Sequence, residues 1–124
     1  MLEHSEAFSG FAVPDIAEAK DFYGTTLGMR VSDGPMGLLT LHPAGGRDIM
    51  VYPKPDHVPA AYTILNFPVD DIDAAVDELA SRGVEFLRYD GFEQDEKGIA
   101  RGDGPDIAWF TDPAGNILAV LTVP

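Results

Sequence analysis

One short motif occurs twice, and that repetition narrows the possible folds more than any other feature. Val13-Pro14-Asp15-Ile16-Ala17-Glu18-Ala19 is echoed by Val69-Asp70-Asp71-Ile72-Asp73-Ala74-Ala75, with Val, Asp, Ile and Ala recurring at one offset. After a slip of one residue, Gly28-Met29-Arg30-Val31 stands opposite Gly83-Val84-Glu85-Phe86. A chain that repeats its own opening uses one supersecondary unit twice. Each half then runs strand, Asp-Ile turn, helix, Gly, strand.

The helices follow from periodicity. Ile72, Ala75, Val76, Leu79 and Ala80 fall at i, i+3, i+4, i+7 and i+8 and make one apolar stripe. Asp70 or Asp71 can cap that helix by accepting from a free backbone N–H. Gly83 suits its left-handed stop. In the first half Asp15 can cap, and Glu18 follows three residues later as in a capping box. Ile16, Ala19, Phe22 or Tyr23, and Leu27 supply the buried stripe, which Gly28 ends.

β-like runs precede each helix, at 8–13 and 62–69. Shorter strands follow, at about 30–32, 38–42 and 48–52 in the first half. In the second half they fall at about 84–89, 98–101, 107–111 and 117–122. Turns separate them at Asp33-Gly34-Pro35, at Pro43-Ala44-Gly45-Gly46 and at Asp112-Pro113-Ala114-Gly115-Asn116. The proline-rich stretch Pro53-Lys54-Pro55-Asp56-His57-Val58-Pro59 reads as a stiff linker. The expected architecture is α+β: two tandem βαβββ modules, about 1–54 and 60–124, forming one domain over 1–124. A helix would cover one face of each sheet, and the other faces would form a shared concave cup.

Composition narrows the function. The chain of 124 residues is of ordinary single-domain length. It has no cysteine, so thiolate zinc sites, disulfides and a thiol nucleophile are excluded. A net charge of −13, with eight scattered Lys and Arg, opposes binding to nucleic acid. Residues 1–62 hold 8 acids and 4 bases, and residues 63–124 hold 13 acids and 4 bases. This acidity reads as a solvating surface, with a site for a cationic ligand as the sharper alternative. No apolar run is long enough to span a membrane. The start, Met1-Leu2-Glu3-His4-Ser5-Glu6, is acidic where a signal peptide needs basic residues, so a cytoplasmic location is expected.

Val13-x-Asp15-Ile16-x-x-Ala19-x-x-Phe22-Tyr23 followed by Leu27-Gly28-Met29 resembles the opening of the vicinal oxygen chelate superfamily. That superfamily contains glyoxalase I, bleomycin-resistance proteins and extradiol dioxygenases. Phe110-Thr111-Asp112-Pro113-Ala114-Gly115-Asn116-Ile117-Leu118 resembles its Phe-x-Asp-Pro-x-Gly-Asn terminus. Both motifs mark the fold and carry no chemistry. The resemblance implies a homodimer, and in catalytic members a divalent metal held by His, Glu or Gln on inward-facing strands. Counted from the motifs, those positions are Phe8, Met50 or Val51, Ile64 and Ala119. None offers imidazole or carboxylate, so no metal and no other cofactor is expected. Metal-dependent glyoxalase or dioxygenase activity is disfavoured accordingly.

With period-2 alternation, Phe8, Gly10 and Ala12, then Ile64, Asn66 and Pro68, then Ile117, Ala119 and Leu121 would face the cup. Phe11, Val13, Leu65, Phe67 and Val69 would face the helices. Candidate ligand-binding residues are therefore Phe8, Met50, Tyr52, Ile64, Asn66, Trp109 and Ala119. Asn66 can both donate and accept. Tyr52 and Trp109 can stack on a flat or cationic ligand, or simply fill the core.

His4, His42 and His57 share no metal-ligand spacing and read as solvent-exposed, although His42 or His57 can reach the cup edge as an acid/base group. The run Glu93-Gln94-Asp95-Glu96-Lys97 reads as a solvated loop or a lid, and Arg101 as an anion anchor or a surface ion-pair partner. No Gly-rich phosphate loop, nucleophile elbow or Ser/His/Asp set is identified in the sequence. The expected function is metal-independent binding of an unidentified small molecule, such as sequestration of a cationic or aromatic compound. One alternative is a lyase or isomerase using His57, His42, Asp106 or Glu93. Another is an accessory protein-binding module.

Overall fold

The two Asp-Ile turns start the two helices by the same local chemistry. Asp15 Oδ1 accepts from the Glu18 backbone N–H at 3.1 Å, and Asp71 Oδ1 accepts from the Ala74 N–H at 3.1 Å. Each carboxylate satisfies an N–H that the first helical turn leaves free. In this computed structural model, which describes residues 1–102 and 104–123, the chain divides into two compact units, Met1–His57 and Val58–Pro124.

The first unit contains β1 (Gly10–Val13), α1 (Ile16–Asp21), β2 (Arg30–Asp33), β3 (Leu39–His42) and β4 (Ile49–Pro53). The strands form one sheet in the order β1-β4-β3-β2, with β1 parallel to β4 and the other pairs antiparallel. α1 does not stop at Asp21 but widens into a π turn over Phe22–Thr26, closed by Leu27 N–H to Phe22 O at 2.9 Å. Gly28 ends it at φ +71°, a conformation that costs a β-carbon-free residue little. The widened turn buries Tyr23 completely, and its ring meets Phe11 at 5.7 Å. Phe11, Val13, Leu39, Leu41 and Val51 thus mark the helix-facing side of this sheet. On strands the alternate residues Gly10, Ala12, Thr40, His42, Met50 and Tyr52 take the other side.

The second unit contains β5 (Thr63–Pro68), α2 (Ile72–Ser81), β6 (Ile107–Thr111) and β7 (Ile117–Leu121), with sheet order β5-β7-β6. Its core is Ile72 and Val76 of α2 with Ala108, Phe110, Leu118 and Val120 of the sheet. The architecture is α+β, two βαβββ modules in series, with the strand that should follow α2 in the second module reduced to bridges.

That reduction departs from the sequence-based expectation. The strands expected at 84–89 and 98–101 are present only as isolated bridges, Phe86 with Phe110 and Ala100 with Ile107. Side chains have taken the backbone groups that a strand partner would use. Gln94 Oε1 accepts from Tyr89 N–H, and its Nε2 donates to Leu87 O and Gly98 O, each at 2.8 Å. Asp95 Oδ1 accepts from Lys97 and Ile99 N–H, both at 2.9 Å. The charged run 93–97 is therefore a pinned turn built on side-chain-to-backbone bonds. Two further boundaries move: β1 begins at Gly10, leaving Phe8 outside it, and β5 carries a register shift between Thr63 and Leu65, leaving Ile64 as the extra residue of a bulge.

Candidate functional site

The second sheet presents an aromatic wall on the face opposite α2. Phe110 and Leu118 are buried on the α2 side, so their neighbours Trp109 and Ala119 alternate to the other. The register then sets Asn66, Ala119 and Trp109 side by side across β5, β7 and β6. Ala119 is fully covered and offers no surface of its own, whereas Asn66 is exposed. Trp109 is half-buried against two further rings: Tyr89 lies edge-on at 5.2 Å and 86°, and Phe92 is tilted at 5.2 Å and 47°. Phe92 is 57% exposed, which is unusual for a ring that already has two aromatic neighbours. Such an arrangement offers both ring faces and ring edges to a flat or cationic group.

Neither Tyr89 nor Phe92 was singled out by the sequence. They lie in the segment expected to be a regular strand and the turn after it. The dipeptide Asp90-Gly91, with Gly91 at φ +92°, was the available signal that the chain turns back there and brings both rings to Trp109.

On the first unit, a groove of about 460 Å³ is lined by Glu6, Phe8, Leu38, Thr40, Asp48 and Met50 among others. Met50 extends over Gly10, where a β-carbon would stand 3.5 Å from the Met50 Cε. Phe8 and Met50 thus come together, although Phe8 reaches the groove from outside β1. Tyr52 is an exposed residue further along β4, and Ile64 is half-buried at its bulge. The candidate residues form two groups, Phe8 with Met50 and Asn66 with Ala119 and Trp109. Tyr52 stands in neither and is absent from the groove lining.

The residues counted as metal positions do not fit a divalent ion. Phe8, Ile64 and Ala119 have hydrocarbon side chains and Met50 offers only a thioether, whereas such an ion needs imidazole, carboxylate or thiolate donors. Among the described residues no group of three His, Asp or Glu is arranged to hold a metal.

Arg101 is engaged as an ion-pair partner. It donates to Asp73 Oδ1 at 2.8 Å and to Asp95 Oδ2 at 3.3 Å, and lies 3.6 Å from Asp106. Its hydrogen bond holds the Asp73 carboxyl below the ordinary aspartate value of 3.8. For Asp95, burial pushes upward, but the Ile99 and Lys97 N–H groups and Arg101 outweigh it and hold the carboxyl low. The cluster ties the 95–101 segment to α2.

The histidines divide into three environments. His4 is exposed beside Glu3. His57 is half-buried, with Nε2 lacking a hydrogen-bond partner. His42, expected to be exposed, is bonded at both ring nitrogens, to Ser32 and to Asp48.

Comparison with known proteins agrees with this fold. No curated protein matches the chain. An antibiotic binding protein, TnmS3 from Streptomyces sp. CB03234, is 28% identical with a TM-score of 0.70, and the match covers 98% of each chain. A glyoxalase/bleomycin resistance protein from the same organism is 29% identical with a TM-score of 0.64, covering 94% of this chain and all of the other. A superfamily member from Sphaerobacter thermophilus is 26% identical with a TM-score of 0.67, covering 94% and 97%. The family model described as Glyoxalase/Bleomycin resistance protein/Dioxygenase superfamily matches residues 7–120, nearly the whole chain, and the protein belongs to that superfamily.

Proposed function

We propose that the protein binds a small aromatic or cationic organic molecule without a metal, on sheet faces that its own helices leave uncovered. The carrying observation is the wall of Trp109, Tyr89 and Phe92 beside Asn66. A cation over these rings is attracted by their negative faces, and the net charge of −13 raises its local concentration. Asn66 would orient the ligand, and Ala119, buried between Asn66 and Trp109 in the register, would space them. Phe8, Met50 and Tyr52 on the first unit, and Ile64 on the second, are the other ligand contacts expected from the sequence. The resemblance to an antibiotic binding protein at 28% identity supports this reading. Dimerisation and a cytoplasmic location belong to the same proposal.

Trp109 is the single tryptophan, so its fluorescence reports the site directly. The test is a titration with a planar aromatic cation such as an acridine and with its neutral analogue. Native mass spectrometry, with and without Mn²⁺, Ni²⁺ and Zn²⁺, would run in parallel. Saturable quenching without added metal, together with a dimer mass, supports the proposal. Absence of saturable quenching by either compound, or binding that requires a metal, overturns it.

A further inference from the structure

The uncovered face of the first sheet carries a hydrogen-bonded chain of three side chains whose order is that of an activated nucleophile. Arg30 pairs with His42 and Ser32 with Thr40, so Ser32 and His42 share a face as diagonal neighbours across β2 and β3. Leu41 pairs with Ile49, which sets His42 opposite Asp48 at the loop end of the β3–β4 hairpin. The Ser32 Oγ lies 2.7 Å from His42 Nε2, and His42 Nδ1 lies 2.9 Å from Asp48 Oδ1.

Proton placement follows from the donor inventory. An ionised carboxylate only accepts, so the Asp48 contact holds the proton of neutral His42 on Nδ1. Nε2 then presents its lone pair to the Ser32 hydroxyl. A base facing a hydroxyl, held from behind by a third group, is the arrangement that makes serine nucleophilic. The His42 side chain is 22% exposed, so its ring is partly shielded while Ser32 remains exposed to an incoming substrate. Thr40, the cross-strand partner of Ser32, lines the 460 Å³ groove together with Asp48, Phe8, Leu38 and Met50. The relay therefore borders a groove that mixes apolar walls (Phe8, Leu38, Met50) with the charged Glu6, Arg47 and Asp48.

We propose that Ser32 is a nucleophile for acyl transfer and that this face accepts small carboxylic esters. The Ser32 Oγ attacks the ester carbonyl carbon as its proton passes to His42 Nε2. The C–O bond to the leaving group then breaks, and the leaving alcohol takes the proton from Nε2. Water next attacks the acyl-serine, giving a proton to Nε2, which returns it to Ser32 Oγ as the carboxylic acid departs. Ester and water become acid and alcohol, with no other reactant. Arg30 stands opposite His42 in the register and on the same face. Asp48 is a positioning residue, acting through the His42 ring. This activity goes beyond ligand binding and does not use the aromatic wall.

The test uses the full chain with p-nitrophenyl acetate and, separately, a fluorophosphonate, followed by peptide mapping. The expected result is one acyl or phosphonyl group on Ser32. Ser32→Ala abolishes labelling at that peptide and lowers ester turnover roughly 10²-fold. Asp48→Asn lowers kcat roughly tenfold or more and changes KM less, because it acts on the ring while only replacing one of several residues that line the groove. Circular dichroism confirms that both variants fold. Labelling confined to lysines or to His42, or unchanged turnover in Ser32→Ala, overturns the proposal. If Ser32→Ala is unfolded, Asp48→Asn decides by its kcat alone. Loss of acridine binding does not bear on this outcome, since that signal comes from Trp109.

Discussion

Asp112 holds Asn116 from two directions. Its Oδ2 accepts from the Asn116 side-chain Nδ2 at 2.9 Å, and its Oδ1 accepts from the Asn116 backbone N–H at 2.9 Å. Oδ1 also accepts from Ala114 N–H at 2.9 Å. Both residues are buried, at 3% and 2% exposure, so water cannot replace these bonds. Asp112→Ala is expected to cost about 3 kcal/mol, the scale of stranding buried donors that had a charged acceptor. Asp112→Asn, which keeps one acceptor oxygen, should cost about half that. Urea denaturation measures both, and a loss below about 1 kcal/mol for the alanine variant would show that the turn does not depend on this carboxylate.

Two glycines separate backbone strain from steric conflict. Gly37 has φ +77° and open space around a would-be β-carbon, whereas at Gly98, with φ +91°, that carbon would stand 3.0 Å from the Phe86 Cβ. Gly37→Ala should therefore cost about 1 kcal/mol from conformation alone. Gly98→Ala should cost more, about 2 kcal/mol or above, because Phe86 must also move. Equal melting-temperature losses in the two variants would count against a close approach of Gly98 to Phe86.

Acid should weaken the tie between α2 and the 95–101 segment. The Asp73 and Asp95 carboxyls are held below 3.8 in the fold, so they bind protons less readily there than in the unfolded chain. Their contribution is fully present above the unfolded value near 3.8 and disappears as the pH falls through the lower folded values. Arg101→Gln removes the hydrogen bond that lowers Asp73 most. The unfolding free energy of that variant should fall less steeply than wild type below pH 3.8. Parallel curves would mean that Arg101 does not set these carboxyls.

Phe92 should affect binding and leave folding nearly unchanged. It is 57% exposed, so Phe92→Ala forfeits little burial and should shift stability by roughly 0.5 kcal/mol or less. Affinity for a planar aromatic cation should drop about 2- to 10-fold, the worth of one ring face. Calorimetric titration with paired thermal melts distinguishes the two effects. A large stability loss with unchanged affinity would make Phe92 a packing residue.

Local chemistry wrote much of this protein in plain view. The caps at Asp15 and Asp71, the stripe of Ile72 and Val76, the stop at Gly28 and the Asp112–Asn116 turn each depend on residues within a few positions of one another. Period-2 alternation also placed Asn66 and Ala119 on one face, because it needs no knowledge of partners. Strand pairing beyond neighbours is different. Nothing in the spacing of Ser32, His42 and Asp48 shows that a β2–β3–β4 register will align them, since a slip of one residue would turn each to the opposite face. Nor does composition show that Gln94 and Asp95 will take the backbone groups of residues 87–99 and leave bridges where strands were expected. The meeting of Tyr89, Phe92 and Trp109 follows from that lost strand. The sequence alone determined the modules, their helices and their terminal turn, because short-range hydrogen bonding and periodicity act within a segment. Only the tertiary structure decided which side chains share the uncovered faces, because that depends on the register and packing of segments distant in the chain.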